Sequence, residues 1–118
     1  MGDIVLKDIL LLEKAVMDCL TKWDNLGALK HSNMSQSILA TNPYLGELQT
    51  NFYELHLLNR FAVFWNDCKF DECRKILKQL DKLPLSGAGL IKKLLDEAEL
   101  EYALANYPKA LFLIIAVR

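Results

Sequence analysis

Apolar side chains return along the start of the chain at Ile4, Val5, Ile9, Leu12, Val16, Leu20 and Trp23. Steps of three and four put them on one side of a helix. The spacing predicts a helix over 3–23, capped by Asp3, with Lys7, Asp8, Glu13, Lys14 and Asp18 facing mostly the other way. Trp23-Asp24-Asn25-Leu26-Gly27 then turns the chain. The stretch His31–Asn42 is polar and small, and reads as the loosest part of the molecule. A short helix over about 32–40 with Ser32 as its cap is the only element expected there, since Pro43 bars helix at Asn42.

The clearest periodicity lies in 44–67. Leu45, Leu48, Phe52, Leu55, Leu58, Ala62 and Trp65 share one face, and Tyr53, Leu57, Phe61 and Phe64 a neighbouring one. A helix apolar on two faces is a central helix, covered from both sides. Asp67-Cys68-Lys69 closes it. Asp71 caps the next helix, 72–82, with Cys73, Ile76, Leu77 and Leu80 inward and its Lys and Arg side chains outward. Leu83–Gly89 is a linker punctuated by Pro and Gly. A helix from about 88 or 90 to 106 follows, with Leu90, Ile91, Leu94, Leu95, Ala98, Tyr102 and Ala105 inward and Glu97, Glu99 and Glu101 in water. Pro108 suits the first turn of the last helix.

That last helix runs from Ala110 to Val117 without one polar residue. A helix apolar all round must be covered all round. At roughly 25 cal/mol per Å2, one wetted face forfeits several kcal/mol, comparable to the net stability of a small domain. The natural unit is therefore expected to exceed one copy of these residues, either as a longer protein or as an assembly. Phe112, Leu113, Ile115 and Val117 are the expected partner-binding side chains.

These elements predict an all-α fold of five or six helices, antiparallel hairpins stacked as a bundle or short right-handed array. The 118 residues make one helical domain. Composition changes this little: 53% of residues are apolar and 25% charged, with a formal net charge of -1. So weak a charge recruits neither nucleic acid nor an anionic membrane. The acidic residues of the first segment exclude a secretory signal, and Leu6 stands where a myristoylation signal needs Ser or Thr. No apolar run spans a bilayer. Three cysteines form no disulfide framework and suit a reducing cytosol, so a cytoplasmic protein is expected.

Candidate chemistry is sparse. Cys68 and Cys73 lack the paired spacing of a zinc site, and Cys73 reads as a small packed hydrophobe. His56 and Arg60 share a helix face beside Glu54. Acid–base work would require a carboxylate partner and a pocket that spacing does not supply, so a solvated face is expected. Arg74, Lys75, Lys78 and Lys82, extended by Lys92 and Lys93, form a basic stripe that would contact phosphate; Asp71, Glu72 and Asp81 dilute it. Asp96, Glu97, Glu99 and Glu101 read as a second solvated face. Ser86-Gly87-Ala88-Gly89 lacks the Lys-Ser/Thr of a phosphate loop. No catalytic residue, metal or cofactor is expected.

Phe64, Phe70, Asp71, Glu72, Cys73, Leu77, Leu80 and Pro84 resemble a degenerate tetratricopeptide repeat, and Tyr107, Lys109, Ala110, Ile114 and Val117 resemble the same half-repeat. Cys73 and Ala110 lie 37 positions apart, against a family period of about 34. Phe61 and Leu57 stand where that family has Gly and Trp. The resemblance implies stacked hairpins whose groove or terminal helix holds a protein partner or another copy. The progression from FWNDCKFDECRKIL to DEAELEYALANYPKALFLIIAVR is also similar to the helical segment of CRISPR-associated HEPN ribonucleases. That likeness implies a fragment or subunit of an RNA-targeting enzyme. Its Arg-x4-6-His motif is missing, since the only histidines are His31 and His56.

Overall fold

Three times the chain doubles back through the same turn. The computed structural model describes residues 2–42, 50–85 and 87–117, apart from the side chains of 2–4 and 50. Six helices are found there: α1 Gly2–Thr21, α2 Asn25–Thr41, α3 Thr50–Asn66, α4 Phe70–Leu80, α5 Gly87–Ala103 and α6 Tyr107–Val117. Between α1 and α2, α3 and α4, and α5 and α6 lie three residues each. The middle one is left-handed every time: Trp23 (φ 61°), Cys68 (φ 56°) and Ala105 (φ 62°). The residue after it then donates its backbone N–H five residues back, Asp24 to Cys19 (2.8 Å), Lys69 to Phe64 (2.9 Å) and Asn106 to Glu101 (2.8 Å). These bonds satisfy carbonyls that a helix end leaves open. Four residues beyond each of those donors sits a small buried side chain, Ala28, Cys73 or Ala110, which lets the two arms approach closely.

The protein is therefore all-α, built of antiparallel hairpins. Helix α3 is central and touches α1, α2, α4 and α5, but only one of its two expected apolar faces is buried. Leu55, Leu58, Ala62 and Trp65 are half-buried, and the second buried face carries His56 and Val63 instead. One face delivers Leu57, Phe61 and Phe64 to Cys73, Ile76, Leu77 and Leu80 of α4 and Leu100 of α5. Helix α4 is inward and outward as its pattern demands. Burying each such Leu, Ile or Phe is worth roughly 1.5–3 kcal/mol, so this cluster is the main core. The opposite face of α3 brings Val63 to Val16 and Ala28, a smaller cluster.

Several expectations are corrected. Helix α1 ends at Thr21, so Trp23 falls in the left-handed turn and is 89% exposed instead of extending the apolar stripe. Helix α2 runs unbroken from Asn25 to Thr41, so the short helix expected over 32–40 is there but belongs to a longer one, and the stretch is not loose. Its cap is Asp24, which accepts from the Gly27 N–H at 3.0 Å, and Ser32 is buried mid-helix. Ser32 and Ser35 join Ala28 and Leu39 in one inward stripe, because small side chains let α2 lie close to its neighbours. Lys69, not Asp71, holds the N-cap position of α4, without a side-chain bond.

Helix α5 is rotated from its expected orientation. It buries Lys93, Asp96, Ala98, Leu100 and Glu101, while Leu90, Ile91, Leu95 and Tyr102 are exposed. Asp96 and Glu101 are thus not solvated, because cations from three helices meet them. Lys92 holds Asp96 at 2.7 Å, and Arg74 and Lys109 hold Glu101 at 3.0 and 3.6 Å. Helix α1 begins at Gly2, so Asp3 lies inside it and is not its cap. Expectations for Pro43, Leu45, Leu48 and Ser86 fall outside the described residues.

Candidate functional site

Two features stand out from the core: a polar cluster sealed between α1, α2 and α3, and an apolar surface on α5 and α6. The cluster arises because Glu13 stands between Ile9 and Val16 on the inward stripe of α1, and all three are wholly buried. On α3, His56, Asn59, Arg60 and Val63 share the face turned to this hairpin. His56 Nδ1 lies 2.6 Å from Glu13 Oε2, and Nε2 lies 2.7 Å from Gln36 Oε1. Asn59 donates to Glu13 Oε1 at 3.1 Å. Arg60 donates to Ser32 Oγ (2.9 Å) and Asn33 Oδ1 (3.0 Å), with its guanidinium 4.9 Å from the centre of the Phe64 ring.

The expected solvated His56–Arg60 face is therefore corrected: His56 has no exposed surface. Burial pushes the Glu13 carboxyl up, but the hydrogen bond and charge of His56, with the Asn59 amide, outweigh it and hold the group below its ordinary value. A carboxylate–imidazole pair is the geometry of general acid–base chemistry, yet a substrate must reach it. Glu13 and His56 are both sealed from solvent, and no described cavity is lined by either. What this pair can do is fix the register of the first hairpin on α3, since a buried charge without its partner is costly.

The apolar surface is different. Ala110 and Leu113 of α6 are buried against α5, Val117 is half-buried, and Leu111, Phe112, Ile114 and Ile115 are 43–70% exposed. The four expected partner-binding residues thus divide, with Phe112 and Ile115 outward and Leu113 and Val117 inward. Helix α6 packs chiefly on α5. Beside it runs a groove of about 370 Å3 floored by Leu95, Ala98 and Tyr102 of α5 and flanked by Trp65 and Ile114, with Glu99 the one charged side chain in its lining. Tyr107 packs edge-on to Tyr102 at 5.3 Å. Glu101 anchors the hairpin: it accepts from Arg74 and from the Asn106 amide at 2.8 Å. These bonds hold its carboxyl below the usual value against its burial.

The basic stripe is partly spoken for. Arg74 is held by Glu101, Lys75 pairs with Glu72 at 3.2 Å, and Lys93 meets Asp81 and Glu97. Lys78 and Lys82 are exposed without an ion-pair partner among the described residues. Cys68 is exposed on its turn, whereas Cys73 is buried and points its Sγ at the Phe61 carbonyl, 3.7 Å away. Burial and the nearby Asp96 push the Cys73 thiol up to about 12. Among the described residues, no three His, Cys, Asp or Glu side chains gather as metal ligands, and no helix is long and apolar enough to cross a membrane.

Sequence pattern placed Glu13, His56, Asp96 and Glu101 in solvent, whereas all four are buried. The signal was present for Glu13: on a helical wheel it falls inside the Ile9–Val16–Leu20 stripe. No family model, curated protein or solved structure matches the chain.

Proposed function

We propose that this chain is a non-catalytic helical interaction module, which takes a protein partner or another copy on α6 and the groove beside it. The observation that carries this is the outward face of α6. Leu111, Phe112 and Ile115 are 59, 70 and 59% exposed, and Lys109 is the one charged residue among the described side chains of that helix. With Leu104, Tyr107 and Ile114 they leave on the order of 600 Å2 of apolar surface, taking roughly 200 Å2 for a large side chain in full. That reaches the upper end of the largest patches on ordinary monomers, about 300–600 Å2. The thrice-used turn and its small buried residue favour the tetratricopeptide-like likeness, whose hairpin arrays bind partners along their grooves. A cytoplasmic setting fits Cys19, Cys68 and Cys73, all free.

A polarity-sensitive dye at nanomolar protein tests the face. Its fluorescence is expected to fall severalfold in Phe112→Glu/Ile115→Glu and to persist in Leu11→Glu, at an exposed position of α1. Equal fluorescence in all three proteins would count against α6 as the binding face.

A further inference from the structure

We infer that the occupant of the α6 face is a second copy of the same chain, laid antiparallel across it about a two-fold axis. This rests on reading α6 as an interaction face and adds the identity of the partner. Pro108, Leu111, Phe112 and Ile115 point outward at spacing i, i+3, i+4, i+7, the stripe that an amphipathic helix normally turns to a core. The set also reads the same in both directions. Its midpoint falls between Leu111 and Phe112, with Pro108 and Ile115 equally far on either side. An antiparallel copy therefore places its own Phe112 level with Leu111, and its own Ile115 level with Pro108. Such self-complementarity is what a closed two-fold interface requires.

Charge and area agree. The only ionised side chain described on α6, Lys109, is drawn toward Glu101 at 3.6 Å, so two copies meet without like charges at the centre. Leu111, Phe112 and Ile115 supply about 380 Å2 per copy, counted as above. It takes the flanking Leu104, Tyr107 and Ile114 as well to bring two copies to about 1,200 Å2, above the roughly 1,000 Å2 in total that separates specific interfaces from casual ones.

Sedimentation velocity of the full chain from nanomolar to high micromolar concentration decides it. The expected result is a monomer–dimer equilibrium whose dissociation constant rises about 100-fold or more in Phe112→Glu/Ile115→Glu. Leu111→Cys, close to the axis, is expected to form an interchain disulfide on mild oxidation in a Cys19→Ser/Cys68→Ser background, where Leu11→Cys does not. A dimer indifferent to the α6 charges overturns the pairing. So does growth beyond two copies, which would place α6 on the far end of a neighbour. A monomer that binds the dye through Phe112 and Ile115 overturns the second copy alone, whereas a monomer whose dye signal ignores them removes the interaction face as well.

Discussion

Helices α4 and α6 each have eleven residues, and each is the returning arm of a hairpin. Helix α4 hides Cys73, Ile76, Leu77 and Leu80 and gives Arg74, Lys75 and Lys78 to its outer side. Helix α6 hides only Ala110 and Leu113 and leaves Leu111, Phe112, Ile114 and Ile115 uncovered. The same turn delivers both, so the turn does not decide the outcome. The difference is neighbours: α4 is sandwiched by α3 and α5, while α6 packs chiefly on α5. Its apolar sequence suits a helix with another body on its outer side.

The strongest way to break the comparison is to charge an inner position of α4. Ile76→Glu places an unpaired carboxylate in the main core, a change costing about 4–5 kcal/mol or more, and the chain is expected to lose its cooperative thermal transition. A normal melt would mean that α4 is not the buried arm.

The next effect concerns charges that are inside where α6 has apolar groups outside. Glu13→Ala or His56→Ala each strips one member of a sealed pair and should cost about 3–5 kcal/mol by urea denaturation. The double substitution is expected to cost clearly less than the two losses added, because neither stranded group remains. Additive losses would show that the two side chains do not act as a pair.

Acid should probe the same site more gently. In the folded protein the Glu13 and Glu101 carboxyls are held below their ordinary 4.5. Their contribution is complete above pH 4.5 and is lost as pH falls through the lower folded values. Asp96 has the opposite sign, since burial raises it above 3.8. Its ionised form opposes folding, and protonation relieves that cost. The melting temperature is expected to drop more steeply between pH 5 and 3 in the parent than in Glu13→Gln. Equal slopes would remove Glu13 from the acid limb.

The smallest effect is at the turns. Ala105, like Trp23 and Cys68, sits in a left-handed conformation that costs a residue with Cβ roughly 1–2 kcal/mol. Ala105→Gly should stabilise by about 1 kcal/mol, less the flexibility that glycine adds to the unfolded chain. A destabilised variant would contradict the shared turn geometry.

The legible parts of the molecule are those where side-chain type and burial agree. Helix α4 separates charge from apolar groups cleanly, and the Leu57–Phe61–Phe64 face of α3 announces its packing on α4, although its second buried face, with His56 and Val63, is not the apolar one expected. Helix α2 was legible only as a short helix over 32–40, because its inward stripe holds Ser32 and Ser35, whose polarity reads as loop while their small size is what packing uses. The pairing of Glu13 with His56 and of Glu101 with Arg74 was illegible because the partners come from other helices, up to 43 positions apart, and pattern along one helix cannot pair them. Asp96 pairs with Lys92 of its own helix, and what the pattern hid there was its burial. Once Asp96 and Glu101 turn inward, Ile91, Leu95 and Tyr102 must turn outward, and the groove beside α6 follows. The excess of apolar residues on α6 was plain, although which of them face outward needed α5 in place.

Most directly at issue is whether the outer face of α6 belongs to the core of this chain or lies outside it. Urea denaturation of Phe112→Glu/Ile115→Glu against the parent, both diluted to nanomolar concentration, decides the matter. Two exposed positions predict stabilities within about 0.5 kcal/mol of each other. A loss of about 2 kcal/mol or more, the size of a core truncation, would mean that the chain itself already covers Phe112 and Ile115.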